Sequence, residues 1–330
     1  MIAQIDLKYI KIRPYKIWSR FVSYFMFEGR PITTRGRFIN YWVFLNFKLL
    51  RKIPFKNNVE KPIFIIGTGR SGTTILGIIL SIHKSVSYLN EPKALWHEIY
   101  KYEDIIGNYS NGDASYMLDK YSVDDETRKK ALNLYSAYLK ISGGKRVVDK
   151  YPELIFRTSF VNTIFNDPLF IFIARNGYDT LESISNWSNN LGKTNNNNTE
   201  DWWGLNDRKW NLMCKQLIKK SKLLHNNYSQ IIKFKNHRDR ATVEWILTME
   251  QGLEIMSNNP KNLLFLKYED LIENPRSTLK EILNFSNLNY DQKMFNYAST
   301  VLRKSSNKKC QINPTLEMSF NKIMNDLNYD

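Results

Sequence analysis

Beyond Lys61 the chain alternates short, wholly apolar runs with stretches in which apolar residues recur every three or four positions. Pro62-Ile63-Phe64-Ile65-Ile66, halted by Gly67, is apolar at consecutive positions, as a strand covered on both faces must be. Arg146 to Asp149, Leu169 to Ala174 and Asn262 to Lys267 repeat the signal, and Val86 to Leu89 is a shorter strand of the same kind. Helical spacing predicts helices over Gly72 to Ser81, Pro92 to Lys101, Asp124 to Ile141, Glu153 to Phe165, Tyr178 to Trp187, Asp239 to Met256 and Pro275 to Phe285. Strand and helix in alternation imply an α/β fold, a central parallel sheet flanked by helices. Residues 61–330 read as that domain and residues 1–60 as a basic, aromatic arm ahead of it. The run Asn195 to Asn198 reads as a loop.

Composition narrows the class. With 42% hydrophobic residues over 330 positions the chain can bury a core, which excludes a disordered protein. Cys214 and Cys310 have no partner at close spacing, and the four histidines His83, His97, His225 and His237 never fall at metal-ligand spacing, so neither a disulfide scaffold nor a zinc site is expected, and no metal. No run of about 18 apolar residues is present to span a bilayer, and Met1 to Ile10 lacks the apolar stretch of a secretory leader. The expected location is the cytoplasm.

The net charge of +16 is unevenly placed. Residues 1–56 carry twelve Lys or Arg against Asp6 and Glu28, and Asp207 to Arg240 carries ten against Asp207 and Asp239. In the first block the cations are interleaved with Tyr15, Trp18, Phe21, Tyr24, Phe25, Phe27, Tyr41, Trp42, Phe44 and Phe47. Three readings of that arm compete: its aromatics dock on the domain, it forms a peripheral contact with an anionic membrane, or it binds nucleic acid. The last is not expected, because no RNP, KH, zinc-finger or helix-turn-helix signature accompanies the charge. In the second block Trp210, Met213, Cys214, Leu217 and Ile218 recur at helical spacing, which sends most lysines there to a solvated face.

The sharpest chemical signal is Gly67-Thr68-Gly69-Arg70-Ser71-Gly72-Thr73-Thr74, set between a predicted strand and a predicted helix. Glycines let successive N–H groups turn inward, and the following helix start adds positive potential, which together make an anion cradle. A nucleoside-triphosphatase loop would end in Gly-Lys-Ser/Thr, but Thr73 stands where that lysine would. A phosphate-free tight turn remains the plain alternative.

The segment Pro62 to Thr74, with Arg-Ser-Gly-Thr-Thr after a hydrophobic strand, resembles the 5′-phosphosulfate loop of sulfotransferases that use 3′-phosphoadenosine 5′-phosphosulfate (PAPS), in the style of the bacterial and tyrosylprotein branches. The resemblance implies Thr68, Gly69, Arg70, Ser71, Gly72, Thr73 and Thr74 as donor-binding residues, with PAP as the product. It further implies an Arg at a strand end and a Ser eight residues on, holding the donor's 3′-phosphate. Arg175 and Ser183 have that form and spacing, and a guanidinium fork with a hydroxyl suits a doubly charged phosphate. Asp149-Lys150-Tyr151-Pro152 is similar to the family's Asp/Asn-Lys-x-Pro step, where the Lys approaches the transferring sulfonate. Leu264 to Leu271 with Glu273-Asn274-Pro275 is similar to the Arg/Lys-Tyr-Glu-Asp-Leu block, and Ser305 to Lys309 stands where a loop closes over the nucleotide.

Transfer of a sulfonate needs in-line approach, charge stabilisation on the leaving phosphate and a base. Arg70 and Lys150 are the expected cations, and Glu91, 21 residues after Arg70 at a strand end, is the base that the tyrosylprotein branch implies. Burial would raise its pKa while Arg70 and Lys150 would oppose. His97 is the second candidate base; as a helix-start carboxylate Glu91 would only serve the dipole. Trp96, Trp187, Trp202, Trp203 and Trp210 fall in segments the family uses around the acceptor, each of them an equally ordinary core residue. Flat faces there suit a carbohydrate or glycolipid hydroxyl, and a basic rim from Arg208 to Arg240 suits an acidic glycan or lipid. The rival functions are a P-loop kinase or NTPase and a non-enzymatic binder of anionic membrane or nucleic acid.

Overall fold

The structure, a computed structural model, describes residues 4–31, 36–195, 198–258, 260–303 and 309–329. In chain order the first half runs α1 (Leu7–Ile12), α2 (Lys16–Val22) with a π-turn (Ser23–Phe27), α3 (Ile39–Leu50), β1 (Ile63–Gly67), α4 (Thr73–Ile82), β2 (Val86–Asn90), α5 (Lys93–Ile99), α6 (Asp125–Ser142) and β3 (Arg146–Lys150). There follow α7 (Thr158–Ile164), β4 (Leu169–Ala174), α8 (Gly177–Leu191), β5 (Lys193–Asn195), β6 (Asn198–Asp201), β7 (Gly204–Leu205) and α9 (Arg208–Gln216). The chain ends through α10 (Tyr228–Ile231), α11 (His237–Ser257), β8 (Leu263–Lys267), α12 (Tyr268–Glu273), α13 (Pro275–Phe285), α14 (Gln292–Val301) and α15 (Pro314–Asp326).

Five strands form a parallel sheet in the order β2-β3-β1-β4-β8. Successive β1 side chains enter opposite cores: Phe64 and Ile66 join one with α6, α7, α8, α11 and α15, and Ile63 and Ile65 join the other with α4, α13 and α14. That two-sided burial is why the central strands β1 and β4 are apolar without alternation. Sequence signals set the helix ends in the expected way. Asp124 caps α6 by accepting from the Thr127 N–H, Asp125 and Glu126 sit in its first turn, and Gly143 ends it at φ +76°.

Two expectations change. The stretch from Glu153 to Phe165 is not one helix: a 3₁₀ turn covers Pro152–Arg157, and α7 restarts at Thr158. Arg157 leaves helical geometry (φ −136°), and its guanidinium is drawn into the core to donate to the carbonyls of Glu103, Ser115 and Tyr116 and to Glu103 Oε2. Around the asparagine run, β5 and β6 pair antiparallel and β6 pairs with β7; Asn196 and Asn197 lie outside the described residues.

The arm is part of the fold. α1 sends Tyr9 into the α4 core, where its hydroxyl meets Ser81 Oγ, whereas Val22, Phe27, Val43, Phe47 and Leu50 enter the opposite core. Between those anchors the chain wraps β2, an edge strand whose carbonyls would otherwise lack partners. Lys16 Nζ donates to the Val86 carbonyl, Arg20 to the Tyr88 carbonyl, and Glu28 accepts from the Asn90 N–H. Arg13 pairs with Asp291 at 2.6 Å and Arg20 with Glu28 at 3.0 Å, all four groups buried. Part of the amino-terminal charge therefore covers a sheet edge.

Candidate active site

A cavity of about 450 Å³ opens at the carboxyl ends of the strands, the place where open parallel sheets bind ligands. Each strand hands a residue to it at its end. β1 leads into the Gly67–Gly72 loop, β2 into Glu91, β3 into Pro152 and Glu153, β4 into Arg175 and β8 into Tyr268.

The glycine loop has the form of an anion cradle. Gly72 takes a left-handed conformation (φ +88°) and a Cβ there would run into the Tyr268 ring, so this turn admits only glycine. No side chain caps the first turn of α4, whose amino end, with Thr73 and Thr74, faces the cavity. Arg70 is held left-handed at φ +70°, a conformation that costs a non-glycine residue about 1–3 kcal/mol and is characteristic of functional loops. Its Nε donates to Ser183 Oγ at 3.0 Å, and Arg175 Nη1 donates back to the Arg70 carbonyl at 3.1 Å. Burial, and after it the adjacent Arg175 charge, lowers the Arg70 pKa from the ordinary guanidinium value, as expected of two cations set side by side for an anion. Arg175 also meets Asp179 Oδ2 at 3.2 Å and stacks over the Tyr268 ring at 5.0 Å.

The facing wall is a chain of alternating charges. Lys150 Nζ donates to Glu91 Oε1 at 2.5 Å; Lys93 lies 3.5 Å from Glu91 and 3.7 Å from Glu153; Lys209 lies 3.8 Å from Glu153 and 2.5 Å from Glu244. The chain ends on Trp202, whose indole N–H donates to Glu244 Oε2 at 2.5 Å beneath the Lys209 ammonium. Three lysines thus face three glutamates. Glu91 is left-handed at φ +46°, and its side chain is 39% exposed, toward the cavity it lines. What burial it has pushes its carboxyl up, but Lys150 and then Lys93 outweigh that and hold it at about 2. Asp149, one residue before Lys150, points the other way into the core and anchors Trp96 Nε1 and the Tyr135 hydroxyl.

Among the residues named from sequence, Gly69, Arg70, Gly72, Thr73, Thr74, Glu91, Arg175 and Ser183 line one cavity, and Lys150 reaches it through Glu91. Thr68 and Ser71 are buried beneath the loop; the Ser71 hydroxyl is bonded to the Thr68 carbonyl at 2.6 Å. His97 is not on the cavity wall: its ring packs against Phe44 and Tyr109. Of the five tryptophans only Trp187 and Trp202 line the cavity, edge to face at 5.3 Å, whereas Trp96, Trp203 and Trp210 are core. From the second basic block only Lys209 reaches the cavity; it and Arg240 are buried and paired rather than solvated. Ser305 to Lys308 lie outside the described residues. Tyr268 reaches the cavity from the Lys-Tyr-Glu-Asp-Leu block, and Lys93, Glu153, Lys209 and Glu244 join the site without a motif to mark them. The available signals were local: Lys93 and Glu153 stand within three residues of Glu91 and Lys150, and Lys209 adjoins the apolar stripe of α9.

The chain is similar in solved structures to the sulfotransferase domain from the curacin biosynthetic pathway (15% identity, 82% of this chain and 99% of that chain, TM-score 0.48). It is also similar to sulfotransferase STF9 from Mycobacterium avium (12%, 87% and 80%, TM-score 0.47) and to mouse sulfotransferase SULT7A1 complexed with PAP (15%, 85% and 88%, TM-score 0.38). No curated protein sequence matches it. The family model described as Sulfotransferase family matches residues 62–292, a span that takes in the glycine loop, both halves of the Arg175 and Ser183 pair and the whole lysine and glutamate chain, and the protein belongs to that family.

Proposed function

We propose that the protein transfers a sulfonate group from PAPS to a hydroxyl acceptor, a carbohydrate or glycolipid. One observation carries the reading: the glycine loop and the Arg175 and Ser183 pair, more than a hundred residues apart, are joined through Arg70 at one wall of a cavity whose other wall presents a carboxylate on a lysine. The amides of Gly69 to Thr74 and the Thr73 and Thr74 hydroxyls suit the 5′-phosphosulfate, with Thr68 and Ser71 shaping the loop from beneath. Arg175 and Ser183 suit the 3′-phosphate. In the transfer the sulfur–oxygen bond to the donor phosphate breaks as one to the acceptor oxygen forms, and the acceptor proton passes to Glu91. Arg70 and Lys150 face the charge left on the departing PAP.

With Lys150 and Lys93 both on its carboxylate, Glu91 is a weak base. A Lys150 drawn to the phosphosulfate releases one Glu91 oxygen and raises its basicity at the moment a proton must be taken. Trp187 and Trp202 supply the flat faces for a sugar ring. Cys214 and Cys310 are free thiols, which supports a reducing, cytoplasmic location.

The test is binding of adenosine 3′,5′-bisphosphate in EDTA to the native chain and to Arg175→Ala. Native binding with a loss of about a hundredfold in the variant, the scale of removing one partner of a charge-assisted phosphate contact, is expected. No binding to the native chain, or Mg²⁺-dependent ATP turnover in its place, overturns the reading.

A further inference from the structure

Eleven of the seventeen large apolar side chains that stand exposed among the described residues fall between Leu7 and Ile53. Most belong to two helices that touch each other. The π-turn that extends α2 packs Phe27 against Phe47 of α3 at 5.9 Å, and Asn46 Nδ2 donates to the Met26 carbonyl. Val22, Phe27, Val43, Phe47 and Leu50 all enter one core, so each of these two touching helices turns its opposite face outward. Those outer faces are apolar too. Along the first run Trp18, Phe21 and Phe25, with Phe21 and Phe25 in ring contact; along the second run Phe38, Tyr41, Trp42 and Leu49, with Tyr41 and Trp42 in ring contact. Trp42 is 62% exposed, Tyr41 71% and Phe38 76%. Scattered exposed apolar residues are ordinary, but exposed apolar stripes on two touching helices are not, and α3, apolar on its inner and its outer face, has something covering it.

Charge indicates what covers it. The arm's inward cations, Arg13, Lys16, Arg20 and Arg30, are buried in the fold, whereas Lys48, Arg51 and Lys52 at the end of α3 stand exposed beside Leu49 and Ile53. Arg51, which pairs with Glu98 at 2.7 Å, and Lys52 line with Arg128, Lys129 and Lys130 of α6 a depression of about 720 Å³ in which Asp125 and Glu126 are the acidic side chains, Glu126 3.6 Å from Lys130. Aromatic stripes with a cationic margin match an anionic lipid interface, where aromatic rings sit at headgroup level and lysine or arginine meets phosphate. A second copy of the chain packed through the same face would bring cations and no anionic surface to that margin. No helix among the described residues is long and apolar enough to cross a membrane, so the contact is interfacial. Pro31, four residues beyond the π-turn, lines the active-site cavity, which ties this face to the site through a short segment.

We propose that the outer faces of the α2 π-turn run and of α3 dock on an anionic phospholipid bilayer. The test is flotation of the full chain with phosphatidylcholine vesicles containing phosphatidylglycerol, and with phosphatidylcholine vesicles alone. Co-flotation only with the anionic vesicles, weakening as salt rises, is expected. The double variant Tyr41→Ser, Trp42→Ser should lose about tenfold or more of that partition, and Lys48→Glu with Lys52→Glu should abolish the preference for the anionic lipid. Tyr121→Ser, at an equally exposed aromatic elsewhere, should leave binding unchanged. Adenosine bisphosphate binding by all these variants should match the native chain, so failure here is separate from failure of the sulfotransferase reading. Absence of flotation, flotation that survives the Tyr41 and Trp42 substitutions, or a concentration-dependent dimer that those substitutions dissolve overturns the proposal.

Discussion

The two walls of the cavity handle charge in opposite ways. On the loop side Arg70 and Arg175 lie together, in contact with the Ser183 hydroxyl, the Arg70 carbonyl and the Asp179 carboxylate, with the uncapped start of α4 beside them. On the other side every lysine has a glutamate within 4 Å, and the chain from Lys150 to Glu244 is neutral as a whole. Surplus positive charge is what an anionic donor needs at the place where it is held. A neutral, cross-linked wall is what a proton acceptor needs, because a carboxylate there is oriented while its charge is balanced until a ligand redraws the bonds. The cavity's two left-handed residues other than glycine divide the same way: Arg70 stands on the first wall and Glu91 on the second.

The comparison is broken most forcefully at Glu91. Glu91→Gln keeps the shape and a hydrogen-bonding oxygen for Lys150 but removes the proton acceptor. Transfer should fall by roughly 10²–10⁴-fold, while affinity for adenosine 3′,5′-bisphosphate stays within about threefold, because the proposed phosphate contacts are on the opposite wall. Initial rates at saturating donor, paired with a titration, separate the two effects. Equal losses in both would mean that the walls do not divide the work.

A smaller effect tests how the neutral wall tunes its base. With Glu91 held at about 2, the acid limb of the kcat/KM profile should lie far below that of an ordinary carboxylate. Lys93→Met removes one of the two cations responsible and leaves Glu153 its contact with Lys209. Folded-state protonation of Glu91 then becomes easier, and the limb should move to higher pH, with less than about a tenfold change in rate at pH 7. A limb that stays in place in Lys93→Met would remove Glu91 from the role of base.

The loop wall was largely legible in the sequence and the neutral wall was not, for a physical reason. Binding an anion demands glycines, a strand before them and a helix after them, so Gly67 to Thr74 is marked locally; Arg175 and Ser183 share one helix start and are marked by spacing. Strands β1 and β4 were legible because burial on both faces makes them apolar throughout, and β3 and β8 through shorter apolar runs, Val147-Val148 and Leu263 to Leu266. The lysine and glutamate chain joins residues from β2, β3, α5, α9 and α11, and nothing local distinguishes a buried Lys209 from its solvated neighbours on the same helix. The arm's helices escaped notice because α3 is apolar on its inner and its outer face, which erases the period-3.6 signal. At Arg157 tertiary bonds to buried carbonyls overrode a helical pattern.

An effect on stability, and none on the charge balance of the cavity itself, concerns the support beneath the neutral wall. Asp149 and Lys150 are consecutive on β3, so the pleat turns one into the core and the other toward the site. The Asp149 carboxyl is fully buried; Oδ2 accepts from Trp96 and Tyr135, while Oδ1 has no hydrogen-bond partner among the described residues. Burial raises its pKa to about 7 against those two bonds and the Lys150 charge. A carboxyl of raised pKa binds its proton more tightly folded than unfolded. Its contribution to stability is therefore complete below about pH 4 and is lost as pH rises to about 7, beyond which it is flat. Asp149→Asn keeps an oxygen for Trp96 and Tyr135 but cannot titrate. The native protein's stability relative to the variant, measured by urea unfolding, should decline between about pH 4 and 7 by no more than about 4 kcal/mol and then level off. Other buried acids, Glu103 among them, titrate in both proteins and cancel in the difference. A difference constant across that range would mean that Asp149 is charged in the folded protein, and that the core beneath the neutral wall holds a carboxylate with the Lys150 charge nearby.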